Sequence, residues 1–307
     1  MGSLDGRVII ITGAGRGIGR ALAQALAGAG ASVVVNDRGG DWRGEGQDVG
    51  PATGVVQEIE AAGGRAIADG GDVTDAAAVD ALVQRALDTW GRLDGVVSSA
   101  GILRDRMVFS MGEDDWDAVM AVHLKGHFLL LRAACRHWRA EAKRTGAPVD
   151  ASAVCVSSEA GIYGNAGQAN YSAAKGGIIS LSLAVAREMQ RYGVRCNTIA
   201  PRARTRMTEG TFGGFQDDDG PHPWDPENVA PAVELLLGDA GRPYTGQLLV
   251  VGGGTAQVIA PHEVAAELRT GDGPAAVEDL EEFLRDALGT QAGPPPFPDL
   301  GLPAPAK

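Results

Sequence analysis

Cysteine is scarce in this chain. Cys135, Cys155 and Cys196 are the only three in 307 residues, widely spaced and in apolar contexts. Three such thiols form neither a disulfide framework nor a zinc-ligand pattern, so no metal centre is expected, and a reducing cytoplasmic setting is. Positive charge is also in deficit: 27 Lys and Arg stand against 39 Asp and Glu, leaving a formal net charge of −12. That balance argues against nucleic acid or an anionic membrane surface as the main partner. It leaves room for a local basic patch that meets an anionic substrate. No apolar run reaches transmembrane length, and Met1-Gly-Ser-Leu-Asp-Gly-Arg7 lacks the hydrophobic stretch of a signal peptide. The remaining composition, 44% hydrophobic and 21% charged, is that of an ordinary globular chain. Its length suits one large α/β domain or, at most, two small ones.

What is present is rhythm. Short β-branched apolar runs at 7–12, 32–36, 65–69, 95–98, 153–157, 195–200 and 247–251 alternate with helical patterns, clearest at 18–28, 75–90 and 169–191. Alternation of this kind predicts βαβ units and a parallel sheet. Several runs are almost continuous in Val and Ile, as in strands covered on both faces. The expectation is a doubly wound, seven-stranded parallel sheet with helices on both faces. Two segments break the rhythm: the Gly-rich stretch 38–51, and 205–226, rich in Gly, Asp and Pro, which reads as a lid. The domain layout expected is one catalytic unit over 1–256, with a substrate loop near 202–226, and an extension over 257–307. That extension holds an acidic helix near 275–288 and a Pro-rich tail from 293.

Thr12-Gly13-Ala-Gly15-Arg16-Gly17-Ile18-Gly19 follows the first strand and opens the first helix. Glycines let the backbone approach a pyrophosphate, and a helix N-terminus offers free N–H groups and the positive end of a dipole. The spacing departs from the usual G-x-G-x-x-G, and the position after a strand is what raises it above a simple tight turn. Asp37 ends the second strand, where an acid binds the adenosine ribose hydroxyls and repels a 2′-phosphate, favouring NAD. Arg16 and Arg38 are the features that would favour NADP instead. Asp72-Val73, after the third strand, stands where adenine would lie, although Asp72 or Thr74 equally suits a helix cap.

Tyr171-Ser-Ala-Ala-Lys175 places a phenol and an ammonium on one face of a helix, one turn apart. Charge pairing should draw the phenol pKa from about 10 towards neutrality, giving a proton donor and acceptor usable near pH 7. Ser158 precedes Tyr171 by thirteen residues. Together with the glycine turn, these residues point to hydride transfer between a nicotinamide cofactor and a carbonyl/alcohol pair.

Thr12–Gly19, Asp72, Ser99-Ala100-Gly101, Ser158, Tyr171, Lys175 and 197–201 together resemble the short-chain dehydrogenase/reductase family, from about residue 7 to 251. Val35-Asn-Asp-Arg-Gly-Gly-Asp41, Gly101-Ile-Leu-Arg-Asp-Arg106, Val122-His-Leu-Lys-Gly126 and Gly161-Ile-Tyr-Gly-Asn-Ala-Gly-Gln-Ala-Asn-Tyr171 resemble, more narrowly, the (3R)-hydroxyacyl-CoA dehydrogenase and 17β-hydroxysteroid dehydrogenase type 4 group and its single-domain actinobacterial relatives. The resemblance implies a Rossmann-type fold. It makes Tyr171 the general acid/base, Lys175 the holder of the nicotinamide ribose, and Ser158 the residue that polarises the substrate oxygen. It adds Ala100, Gly101 and Pro201 to the cofactor site. It also implies a homodimer or homotetramer packed through the long helices near 114–139 and 169–191.

Two positions depart from the family. Ser98-Ser99-Ala100-Gly101 replaces its usual Asn-Asn-Ala-Gly, and a shifted but intact turn is expected. His123 stands where an Asn usually supports a proton relay; it either relays protons or satisfies a helix carbonyl. His123 and His127 are four apart, but no third ligand makes them a metal site. Arg202, Arg204 and Arg206 are candidates for binding an anionic group such as a CoA phosphate. Met207, Phe212, Phe215 and Trp224 are candidates for an apolar pocket. Three functions compete: an NAD-dependent dehydrogenase of a 3-hydroxyacyl-CoA or hydroxysteroid, an NADPH-dependent ketoreductase, and a catalytically silent nucleotide sensor.

Overall fold

A computed structural model describes residues 2–205, 222–260, 263–270, 273 and 275–289. The strands are β1 (Val8–Thr12), β2 (Ser32–Asn36), β3 (Arg65–Asp69), β4 (Gly95–Ser98), β5 (Ala151–Val156), β6 (Val194–Pro201), β7 (Leu248–Gly252) and β8 (Thr255–Ile259). They form one sheet in the order β3-β2-β1-β4-β5-β6-β7-β8. The helices are α1 (Gly17–Gly28), α2 (Gly50–Ala61), α3 (Ala76–Trp90), α4 (Glu113–Met120), α5 (Gly126–Thr145), the short α6 (Ala160–Tyr163), α7 (Ala169–Met189), α8 (Ala230–Leu237) and α9 (Val277–Leu288).

Successive strand residues point to opposite faces. Ile9, Ile11, Val33 and Val35 therefore pack with Leu22 and Leu26 of α1, Val55 and Ile59 of α2, and Leu236 of α8. Val8, Ile10, Val34 and Val96 pack on the other face with Leu82 of α3, Leu130 and Trp138 of α5, and Ile178 of α7. Both faces are covered, which is why β1 and β2 are buried at every position and read as unbroken apolar runs.

The first seven strands are parallel, as the rhythm predicted, but an eighth pairs antiparallel with β7. Gly253 and Gly254 take φ of 58° and 73°, the backbone that a two-residue hairpin requires. All of β8 except Ile259 is exposed, so no core face left an apolar signature to read. This strand crosses the boundary expected at residue 256. A second difference concerns the stretch Glu113–Thr145. Contrary to the reading of no apolar run of spanning length, it contains a window apolar enough to cross a membrane; half of that window is buried inside the protein. Its apolar residues serve the core, through Leu129, Leu130 and Leu131. A π turn, Ala121–Lys125, joins α4 to α5.

The chain runs outward from β1 to β3 and then crosses back to β4. The reversal between β1 and β4 opens a crevice at their carboxyl ends, the usual ligand position in a sheet of this topology. The acidic helix appears as α9, with no buried residue. Most of the candidate lid, from 206 to 221 and including Arg206, Met207, Phe212 and Phe215, lies outside the described residues, as does the tail from 290.

Candidate active site

One cavity of about 810 Å³ opens at that crevice, and every residue named above as catalytic, relay or cofactor-binding lines it. The glycine turn forms one end. Gly13 has φ +67°, and a Cβ there would lie 2.7 Å from the Ala100 Cα, so the turn after β1 and the turn after β4 touch only because a side chain is missing. Ser99 takes over the role of the absent Asn: its Oγ donates to the Thr12 carbonyl at 2.5 Å and its N–H to Thr12 Oγ1 at 3.2 Å. The turn is intact, as expected.

Asp37 accepts from the Gly15 N–H at 2.8 Å and the Gly39 N–H at 2.7 Å, which fixes the end of β2 against the turn. The two arginines beside it are engaged. Arg16 donates to the Gly40 carbonyl at 2.9 Å, and Arg38 lies 3.1 Å from Asp72. Asp72 also closes a local turn onto Thr74, while the cap of α3 is Asp75, which accepts from the Ala77 N–H. The loop 38–49 contributes Gly40, Asp41, Trp42 and Gly44 to the cavity wall. It is pinned across to the segment after β4, where the Leu103 N–H donates to the Trp42 carbonyl at 2.9 Å. Neither a strand nor a helix period marks this loop, so only the run Val35–Asp41 in the narrower resemblance hinted at it.

At the other end stand Ser158, Tyr171 and Lys175. Ser158 follows β5; its Oγ accepts from the Ala160 N–H at 3.2 Å and hydrogen-bonds the Tyr171 phenol. Neighbouring Ser157 instead donates to the Lys175 carbonyl at 2.8 Å, a backbone tie that leaves Ser158 as the serine facing the phenol. Lys175 is 3% exposed and donates to the Val156 carbonyl at 2.7 Å. Its Nζ lies 5.4 Å from the centre of the Tyr171 ring. Gly161 allows this approach of α6 to α7: a Cβ there would sit 2.6 Å from the Lys175 carbonyl carbon.

The expected fall of the Tyr171 pKa is not found. Burial pushes the phenol up to about 12, against the pull of the Ser158 hydrogen bond and with a smaller lift from Asp105. Burial likewise drives Lys175 down to about 7. Low dielectric penalises the charged form of both groups, and the ammonium points at a carbonyl rather than at the phenol.

His123 sits in the π turn, 1% exposed. Its Nε2 lies 3.1 Å from the Ile102 N and 2.8 Å from the Ile102 O. Its ring meets Tyr171 edge-on, at 5.1 Å between centres. Burial, then the Lys175 charge, holds it well below the ordinary histidine value, so it is neutral at working pH. His127 Nδ1 bonds the His123 carbonyl at 2.6 Å, which ties the pair through backbone. Asn170 donates to the carbonyls of Arg104 and Asp115, a structural role. Of the candidate anion-binding arginines, the two described ones have acidic neighbours. Arg202 forms a two-pronged pair with Glu159, at 3.0 and 2.7 Å, and Arg204 lies 3.6 Å from Asp225. Trp224 is buried and lines the cavity.

The short chain dehydrogenase family pattern matches residues 7–212, and the chain belongs to that family of oxidoreductases, whose fold binds a nicotinamide cofactor, NAD or NADP. Among curated proteins it is 45% identical over 265 residues to hydroxyacyl-CoA dehydrogenase ChsB1 of Mycobacterium tuberculosis, covering 84% of this chain and 81% of that one. It is also 45% identical over 250 residues to mouse peroxisomal multifunctional enzyme type 2. That match takes in 81% of this chain but only 32% of the mouse protein, so the chain spans about a third of that relative. Among solved structures, a short chain dehydrogenase from Mycobacterium avium superposes with a TM-score of 0.84 at 45% identity, covering 96% of this chain and 99% of that one.

Proposed function

We propose that this protein is an NAD-dependent dehydrogenase that interconverts a secondary alcohol and a ketone on a bulky apolar substrate of the 3-hydroxyacyl-CoA or 17β-hydroxysteroid type. One observation carries the reading: Ser158, Tyr171 and Lys175 share a single cavity with the glycine cradle and Asp37. The name of the mycobacterial relative supports the acyl-CoA substrate class. The catalytic unit, expected to end at residue 256, runs on through β8 to Ile259, and it works in the cytoplasm as a homodimer or homotetramer.

The residues fit a dinucleotide. Gly13, Gly15 and Gly17 leave open backbone where α1 begins, and Asp37, Asp72 and Val73 border the space where the adenosine half would lie. Ile18, Gly19, Ala100, Gly101 and Pro201 line the walls between. When bound, the nicotinamide supplies hydride donor or acceptor chemistry. The protein's own task is to manage the proton. Tyr171 gives a proton from Oη to a ketone oxygen, or takes it from the alcohol. Ser158 donates to the same oxygen and fixes its distance to the phenol, where charge develops. Lys175 would hold a ribose hydroxyl of the bound dinucleotide, and its positive charge, 5.4 Å from the centre of the Tyr171 ring, would favour phenolate. His123 holds the Ile102 backbone beside the phenol, the place of the proposed relay.

Asp37 supports NAD, and the engagement of Arg16 and Arg38 with protein partners argues against a 2′-phosphate site. An NADPH-dependent ketoreductase is the competing enzyme. The test follows absorbance at the nicotinamide band with NAD and NADP, against 3-hydroxyacyl-CoAs of several lengths, a 17β-hydroxysteroid and small secondary alcohols. NAD-linked turnover of a long acyl-CoA or the steroid, reduced about 10²–10⁴-fold in Tyr171→Phe, is the expected result. Reduction with NADPH alone would favour the ketoreductase, and silence across the panel the nucleotide sensor.

A further inference from the structure

The loop 38–49 leaves β2 directly after Asp37, and its base is closed by the Asp48 N–H, which donates to the Arg38 carbonyl at 2.9 Å. Its tip is held by its own backbone. The Asp41 N–H donates to the Glu45 carbonyl at 2.8 Å, and the Asp41 carboxylate accepts from the N–H groups of Arg43 and Glu45, both at 2.9 Å. The tip is then fastened on two sides. On one side, Arg16 of the glycine turn donates to the Gly40 carbonyl at 2.9 Å. On the other, the Leu103 N–H donates to the Trp42 carbonyl at 2.9 Å and Arg104 Nε to the Arg43 carbonyl at 3.2 Å. Gly44 completes that contact, since a Cβ on it would lie 3.1 Å from Ile102 Cγ2. The loop therefore bridges the crevice between the turn after β1 and the segment after β4.

These fastenings use the backbone of Trp42, not its indole. Trp42 lines the cavity together with Asp37, Gly40, Gly44, Asp72 and Ile102, yet it is 43% exposed. Packing does not account for that placement: Trp138, which serves the core, is 1% exposed. Leaving an indole in water forgoes one of the largest apolar burials that a side chain can make. The Arg43 guanidinium lies over the ring, 5.4 Å from its centre, and can cover only one of its two faces. An aromatic face on a cavity wall suits a planar base, because stacking is tolerant of the base's hydrogen-bonding pattern.

We propose that Trp42 is a dinucleotide-binding residue whose indole supplies an aromatic contact to the adenosine half. The proposal rests on this cavity being the dinucleotide site. It goes further by giving a binding role to a residue outside the glycine turn and the acid that ends β2. A CoA thioester also carries an adenine. The dinucleotide is the favoured source because the loop starts at Asp37 and is tied to Arg16, both on the cofactor side of the cavity. The fastened backbone presents the ring in place, which lowers the ordering cost of binding.

The test titrates NADH and NADPH, with no substrate present, into wild type, Trp42→Ala and Trp42→Phe by calorimetry. For the dinucleotide that wild type binds more tightly, Trp42→Ala should weaken binding roughly 5- to 100-fold, the loss that follows removal of one base–aromatic stack. Trp42→Phe keeps an aromatic face and should lose less. Unchanged affinity in a folded Trp42→Ala overturns the proposal. If that result comes with a raised KM for a 3-hydroxyacyl-CoA and an unchanged KM for a small secondary alcohol, the ring serves the substrate's nucleotide instead. An equal loss in both variants also overturns it, because binding would then depend on the shape of the loop and not on an aromatic face. If Trp42→Ala does not fold, Trp42→Leu, apolar but not aromatic, takes its place. A wild type that binds neither NADH nor NADPH sinks the dinucleotide reading itself, so the two failures are distinguishable.

Discussion

Burial, more than charge pairing, governs the Tyr171–Lys175 pair. The ammonium that the four-residue spacing seemed to aim at the phenol is spent on the Val156 carbonyl, and its desolvation takes it down to about 7. This has a thermodynamic consequence. An ordinary lysine titrates near 10.4, so between about pH 7 and 10 the unfolded chain binds a proton that the folded chain does not. Stability from this group is therefore complete above that window, declines as the pH falls through it, and is lost below about 7. Lys175→Met removes the titration and leaves the Val156 carbonyl unpaired, an offset that does not vary with pH. The Tm of Lys175→Met relative to wild type should thus be most favourable near pH 7 and decline towards pH 10, by at most about 1.4 kcal/mol per pH unit in stability. Parallel Tm curves over that range would show that Lys175 keeps its proton when buried.

At the scale of elements, legibility followed burial. Strands β1, β2 and β4 and helices α1 and α3 were readable to within a residue or so because two covered faces leave continuous apolar runs and period-3.6 stripes. The glycine cradle was readable because its contacts forbid side chains. Gly19 is the sharpest case: a Cβ there would lie 2.2 Å from the Gly13 carbonyl oxygen. Gly19→Ala must push α1 off the turn, so we expect a loss of roughly 1–3 kcal/mol in stability together with weakened dinucleotide binding. Thermal melts and titration with NADH check both, and wild-type binding in that variant would refute the close approach. Elements without a buried face were not readable. The hairpin strand β8 has its outer positions in solvent, and the loop 38–49 is shaped by backbone bonds such as Asp48 N–H to Arg38 carbonyl, which leave no trace in residue type. The candidate catalytic residues were legible as a set, whereas the protonation of Tyr171 was not, because desolvation depends on everything packed around the phenol.

For the whole molecule, the outer surface of the long helical stretch is the remaining question. Aromatics are only 5% of the chain, yet Phe109 is 84%, Phe128 44% and Trp116 39% exposed along the segment that leads from the active site into α5. Core duty in α5 falls to Leu129, Leu130, Leu131 and Trp138, so Phe128 stands outside the core, with the Arg132 guanidinium 5.6 Å from its ring centre. Exposed aromatics of this kind suit a surface covered by a second copy, and the family resemblance places the long helices across two-fold axes. The wild-type protein should therefore scatter light as a dimer or tetramer. Phe128→Glu places a charge on that surface without touching the core, so it should shift the mass downward while circular dichroism is unchanged. A monomeric wild type would refute the assembly outright. An oligomer indifferent to Phe128→Glu would move the contact to another face of the molecule, with the exposed stripe of α9 formed by Val277, Leu280, Leu284 and Leu288 as the next surface to charge.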